Sequence, residues 1–335
     1  MVAAIIAASV SFVTLIGTLA AQYFWSRAPS KDTEKTLEEQ SKQLDRTLAE
    51  QRTRTLNERF ATAADRLGSD KPPAVRLAGV YAMAGLADDW EENRQTCIDV
   101  LCAYLRMPYD PWPGDEAPMP QRLAFQANRE ARQTVIRVIA AHLKEQAAVP
   151  WQCLNFDFTG IVFDGGDFRD VRFSNCKVGF SGAEFSGHTV DFSQAEFSGG
   201  TVDFSQAKFS GAAVDFRGAK FSGGAVYFGD AEFSGGLVSF STAEFSAGTV
   251  SFIGAEFPPG GSVDFDRAVF SGSAVVLFPA AAFSGGSVRF SGAVFSGGEI
   301  DFSGPADWSS PPEFPWTDTP PSGVKLPRKE DQSQV

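Results

Sequence analysis

The chain has 335 residues, of which 31 are Phe and 32 Gly, against only 5 Tyr, 4 Met, 4 Cys and 2 His. With His142 and His188 the only histidines, a multi-histidine metal site is excluded, and a Ser-His-Asp or Cys-His enzyme would have to use one of these two. A formal charge of −12 works against attraction to phosphate backbones, and four cysteines without a CxxC spacing predict buried, reduced thiols rather than a disulfide framework.

Met1 to Ser26 carry no charged side chain. Val2–Trp25 exceeds the roughly 20 apolar residues a bilayer core needs, and Tyr23, Phe24 and Trp25 close it where an interfacial aromatic belt would lie. A cleaved signal peptide would want a basic leader and an A-x-A site, and neither is present. Arg27, Lys31 and Lys35 follow the span, so the positive-inside bias predicts a single-pass anchor over 1–26. It contacts the bilayer through residues 2–25, with the bulk of the chain on the cytoplasmic side of the cell membrane.

Residues 27–71 are polar, rich in helix formers and free of Pro and Gly between Ser30 and Arg66. Leu37, Leu44, Leu48, Leu56, Phe60 and Leu67 form one irregular apolar stripe on a juxtamembrane helix. The stripe fits a parallel coiled coil, which would make the protein a homo-oligomer, and equally an amphipathic helix packed on the next domain. Residues 72–150 then predict a small helical bundle: a helix opened by Pro72 and Pro73 over Ala74–Ala87, a second over Glu92–Met107, a proline-rich loop over Tyr109–Pro120, and a third over Gln121–Gln146. Arg76, Arg94 and Arg106 are the arginines from which an anion site could be built. Isolated arginines on helices are more often solvated or ion-paired.

From Trp151 to Ser303 the chain is a repeat. Twenty-six Phe fall between Trp151 and Phe302, against three Leu. Phe158, Phe163, Phe168 and Phe173 are five apart; after Phe180 the spacing alternates five and seven. The unit reads A-E-F-S-G-G-T-V-D-F-S-Q over Ala195–Gln206, with an apolar Ala or Val two residues before each Phe and a polar residue between. Such alternation puts both apolar residues on the inner face of a short strand, and the following Phe-Ser-Gly supplies a type II turn. Short strands and turns in this rhythm wind a solenoid whose shaft is filled by Phe185, Phe192, Phe197, Phe204, Phe209, Phe216, Phe221, Phe228 and Phe233. Two Phe in twelve residues overfill a twelve-residue coil, which predicts four faces over roughly 20–24 residues.

A small residue, a polar residue, a central Phe and two more, in tandem from about Asn155 to Phe302, resembles the pentapeptide-repeat family. The resemblance implies a right-handed, quadrilateral β-helix, with Ala183, Ala195 and Ala207 as the small inward positions and the Phe series as the central ones. Two extra residues in every twelve, often Gly-Gly or Gly-Thr, depart from the family's strict five and must bulge at a corner. The layout of span, helical stretch (Val75–Arg106) and repeats also resembles membrane-anchored pentapeptide-repeat proteins of high-GC, actinobacterial type. That resemblance implies no catalytic residue and no cofactor.

Glu184, Asp191, Glu196, Asp203 and Asp215 precede their Phe as outward positions and mark a candidate acidic interaction face. Some pentapeptide-repeat proteins imitate duplex DNA and occupy DNA gyrase, so an acidic DNA mimic acting on gyrase or topoisomerase is the alternative function. Solvated acids that keep a sticky solenoid soluble are the plainer reading. A ladder of carboxylates on a convex rod offers no cleft for glycoside chemistry, and Gly199–Asp203 lacks the third Gly of a calcium-binding nonapeptide. Residues 304–335 are proline-rich; Trp308, Phe314 and Trp316 suit a cap on the open end of the solenoid, with disorder beyond about Thr317. The sequence therefore predicts an α+β multi-domain chain: a membrane-tethered, non-enzymatic scaffold binding a protein partner, with no cofactor, no metal and no nucleic acid.

Overall fold

The computed structural model describes residues 31–69, 72–211, 213–317 and 319–328. The membrane span expected over 2–25 lies outside the described residues; among those described, no helix is long and apolar enough to cross a membrane. The chain divides into two compact units, residues 1–58 and 59–335. In the first, every described residue is helical and belongs to α1 (Lys31–Leu67). Leu37, Leu44 and Leu48 are all more than half exposed there, so half of the predicted stripe faces water.

In the second unit, α2 (Pro73–Asp89), α3 (Arg94–Leu105) and α4 (Met119–Leu143) form the helical layer. Pro73 opens α2 at its first turn, where a missing N–H is harmless. The Cys97, Ile98, Leu101 and Leu105 stripe of α3 and the Val135, Ile136, Ile139 and Leu143 stripe of α4 are buried.

From Phe156 the chain winds a parallel β-solenoid of about seven turns. Pairing fixes the coil length: Phe163 lies opposite Phe185, 22 residues on, and Phe185 opposite Phe209, 24 on. Later coils lengthen, with Phe245 opposite Phe270 and Phe257 opposite Phe283. Each coil contributes four inward Phe, and rings one coil apart stack face to face. Phe204 and Phe228 are 4.8 Å apart and 4° from parallel; Phe209 and Phe233 are 4.7 Å apart. Across the shaft the rings meet edge-on, as Phe204 and Phe216 do at 5.9 Å and 87°. Stacked columns joined by edge-to-face contacts satisfy the ring quadrupoles in both directions, and a branched aliphatic core would lose that.

The five-and-seven rhythm follows from two kinds of corner. Five-residue steps close on type II turns: the N–H of Ala207 donates to the Phe204 carbonyl at 3.1 Å, and Gln206 between them has φ 60. Seven-residue steps carry the Phe-Ser-Gly-Gly segments, which bend instead as bulged strand. Glu196–Asp203 and Lys220–Tyr227 are continuous strands whose pairing register slips at the glycines. The tight turn therefore falls after Val-Asp-Phe and its variants, where the left-handed residues include Gly182, Gly218, Gly254 and Gly292 as well as Gln194 and Gln206, and not after Phe-Ser-Gly as the sequence suggested. Glycine is required at the bulge: Gly200 has φ 70, and a methyl group there would run into the carbonyl oxygen of Cys176 one coil below.

Both ends of the solenoid are covered. At the first coil, Gln95 exchanges two hydrogen bonds with the Asn155 backbone, Arg106 donates to the Asp157 carbonyl and Arg132 to the Val162 carbonyl, so α3 and α4 satisfy backbone groups that no earlier coil can pair. At the last coil, Phe314 stacks on Phe290 at 5.6 Å, while Trp308 and Trp316 meet Phe283 and Phe295 edge-on. The disorder expected beyond Thr317 gives way to one more strand, Val324–Lys325, paired with Glu299–Asp301. The open edge of that last strand offers unpaired backbone groups that outweigh the local proline content.

Candidate functional site

A groove of 720 Å³ opens where the proline-rich loop before α4 meets the first two coils. Its apolar wall is aromatic: Phe125 packs 5.5 Å from Tyr109 and 5.2 Å, edge-on, from Trp112. The Arg132 guanidinium sits 4.5 Å above the Tyr109 ring and holds it from behind. Trp112 is 41% exposed, an unusual state for so large a ring on a folded wall.

The opposite wall comes from the solenoid. Asp164 follows the first-coil Phe163, and His188 lies above it in the second coil. The Nδ1 atom of His188 is 2.6 Å from Asp164 Oδ1, while Oδ2 accepts Arg129 Nε at 2.9 Å and the Tyr109 hydroxyl at 3.1 Å. Gln133 donates to the Asp164 and Gly165 carbonyls. Burial alone would raise the Asp164 carboxyl, but the His188 hydrogen bond, the Arg129 charge and the Tyr109 hydroxyl outweigh it and hold the group below the usual carboxylate range. Burial first, and then the Asp164 charge, push the Tyr109 phenol upward, so it remains a donor. An ionised Asp164 can only accept, which assigns the proton to His188 Nδ1 and leaves Nε2 available on a largely exposed ring. Gly187 has φ 83, and a side chain there would strike Asp164 Oδ1; the bare backbone lets the two coils close on each other. Glu184 completes the rim and forms no ion pair among the described residues.

The groove combines a rigid aromatic surface, an anchored imidazole and an unpaired carboxylate, a set suited to binding an amphipathic segment. No residue of it apart from Glu184 was predicted as a site residue; His188 entered only as one of two histidines. The available signal was departure from the repeat. Asp164 replaces the Ser that follows the corresponding Phe in Phe185-Ser186 and Phe209-Ser210, and His188 stands where Phe233-Ser234-Gly235 continues with Gly236.

The nine inward Phe from Phe185 to Phe233 are each no more than 2% exposed. The five acids are distributed around the solenoid. Asp191 and Asp215 are neighbours in one ladder, whereas Glu184 pairs in register with Lys208 on a second face. Glu196 lies between Arg172 and Lys220, and Asp203 beside Tyr227. Three of the acids close turns: Asp191, Asp203 and Asp215 each accept the backbone N–H two residues on, at 2.8, 2.9 and 2.9 Å. Asp215 is also clamped by Arg217 at 2.6 Å and Glu196 by Arg172 at 3.1 Å. Among the described residues no group of three or more His, Cys, Asp or Glu is placed to hold a metal ion.

Residues 158–207 and 199–244 match the family model for pentapeptide repeats, in nine copies. No curated protein and no solved structure matches the chain.

Proposed function

We propose that the protein is a protein-interaction module tethered to the cell membrane, with residues 2–25 as a single-pass anchor of the membrane-anchored pentapeptide-repeat type. The bulk of the chain lies on the cytoplasmic side, and its role is that of a scaffold without catalysis. The observation that supports this reading is the groove between the helical layer and the solenoid. Trp112 and Phe125 offer the kind of aromatic anchor that dominates binding energy, beside the carboxylate of Glu184. A partner segment with an apolar side chain next to a basic one fits that pairing. Exposed Leu37, Leu44 and Leu48 further support pairing of α1 with a second copy as a parallel coiled coil. A gyrase-directed DNA mimic has less support, because Arg172 and Lys220 flank Glu196, Lys208 separates Glu184 from Glu232, Arg217 clamps Asp215, and three of the acids are occupied in turns.

The test is proximity labelling in cells with the wild-type chain and with Trp112→Ala. The reading expects a discrete set of proteins whose labelling falls at least tenfold in the variant; unchanged labelling would remove the groove as the docking site. Protease digestion of intact cells against inverted vesicles tests the orientation, and digestion from outside alone would overturn it.

A further inference from the structure

A second cavity, of 1120 Å³, lies on the other side of the Tyr109–Arg132 pair, between the start of α2, the end of α3 and the first half of α4. Three polar side chains meet there. Tyr104 is 6% exposed and Arg132 5% exposed, and both line the cavity together with Arg76. The Tyr104 hydroxyl and the Arg76 Nε are buried and have no hydrogen-bond partner. Buried polar atoms without partners are rare because each forfeits its hydration for nothing, so two in one cavity call for a ligand. Among the described residues the only acid on the lining is Asp110, an exposed residue of the loop.

We infer that this cavity binds an acyl-chain carboxylate, with Arg76, Arg132 and the Tyr104 hydroxyl receiving the anion and Leu67, Met107, Leu123 and Phe125 receiving the chain. The guanidinium fork matches the two oxygens of a planar carboxylate. Arg132 donates from Nη2 to the Val162 carbonyl at 3.0 Å and from Nη1 to the Met107 carbonyl at 3.5 Å and stacks on Tyr109, so its charge is fixed in place before any ligand arrives, with N–H groups to spare. Burial dominates at Tyr104 and raises its phenol even against the two neighbouring arginines; the hydroxyl therefore keeps its proton and donates. Apart from Ser69, Asp110, Gln121 and Asn128 the remaining described wall is apolar, and the cavity is too large for a small inorganic anion. The cavity shares Phe125 with the groove proposed for protein binding, but Arg76 and Tyr104 are not on that groove's lining, so substitutions at those two residues test the cavity apart from the groove.

The experiment is isothermal titration of the full-length chain in phosphatidylcholine nanodiscs, with empty nanodiscs subtracted, using octanoate, octanol and inorganic phosphate. Octanoate is expected to bind at one site at least tenfold more tightly than either control. Arg76→Gln and Tyr104→Phe should each weaken octanoate by fivefold or more. Tyr104→Phe should also raise the thermal midpoint of the ligand-free chain, since it removes an unsatisfied buried hydroxyl. That second readout does not depend on how the Arg76 variant folds. Equal binding of octanol, phosphate as tight as octanoate, or octanoate affinity unchanged in both variants would overturn the assignment.

Discussion

His188 and Asp164, one coil apart, are joined through Nδ1 and Oδ1 at 2.6 Å, and the same carboxylate ties Arg129 and Tyr109 of the helical layer to the solenoid. The pair is thus the bolt between two kinds of structure. Because the folded-state carboxyl of Asp164 titrates below its unfolded value, its contribution is present above the ordinary carboxylate range and is lost as the pH falls through the folded value. We expect Asp164→Asn to destabilise the chain by on the order of 2 kcal/mol at neutral pH. The variant should also show a shallower loss of stability between about pH 5 and pH 3 than wild type. Urea melts across that range check this; parallel pH profiles would contradict it.

The four thiols should differ sharply in reactivity. Burial pushes Cys97 and Cys176 up to about 11 and Cys102 to about 12, whereas Cys153 is exposed. A thiol-disulfide reagent at neutral pH should therefore titrate one group per native chain and four after denaturation. Two or more fast-reacting thiols in the native chain would mean that the helical layer or the first coils open readily.

Glycines at the two corner types should respond differently to alanine. Gly182 has φ 62 with open space around it, so Gly182→Ala carries only the left-handed backbone penalty of about 1–2 kcal/mol. Gly200→Ala adds a collision with the backbone of the coil below and should cost distinctly more. Equal midpoints for the two variants in chemical denaturation would contradict the bulged-corner geometry.

The Phe columns make the core intolerant of charge and of holes. Phe209 is fully buried between Phe185 and Phe233. Phe209→Asp should abolish the strand signal of its coils, and Phe209→Ala should cost about 3–5 kcal/mol. An unchanged far-UV spectrum for Phe209→Asp would refute an inward-facing Phe209.

Much of the solenoid was legible because its periodicity is local: the position of each Phe, the inward Ala or Val and a four-faced coil of roughly 20–24 residues follow from spacing, although the later coils lengthen to 26. Which Phe starts a tight turn was not legible. Gly tolerates a positive φ in the turn and in the bulge alike, and only the Ala207-to-Phe204 hydrogen bond separates the two. The acids looked like a single series because they share a place in the repeat. A 24-residue coil with four faces turns Glu184, Asp191, Glu196 and Asp203 through successive sides, and the pairing of Asp203 with its own turn belongs to side-chain geometry that spacing does not carry. The groove was hidden for the opposite reason. Tyr109, Trp112 and Phe125 meet Asp164 and His188 only through long-range packing, and the one trace in the sequence is that Asp164 and His188 break the repeat.

The most direct test of the account places a photo-crosslinker in the groove, as Trp112→p-benzoylphenylalanine, in the full-length chain in cells. The account predicts one discrete protein adduct, lost when the same chain also carries Glu184→Lys and absent when the crosslinker instead replaces Tyr227 on a distant face. No protein adduct at position 112, or the same adducts at position 227, would contradict it.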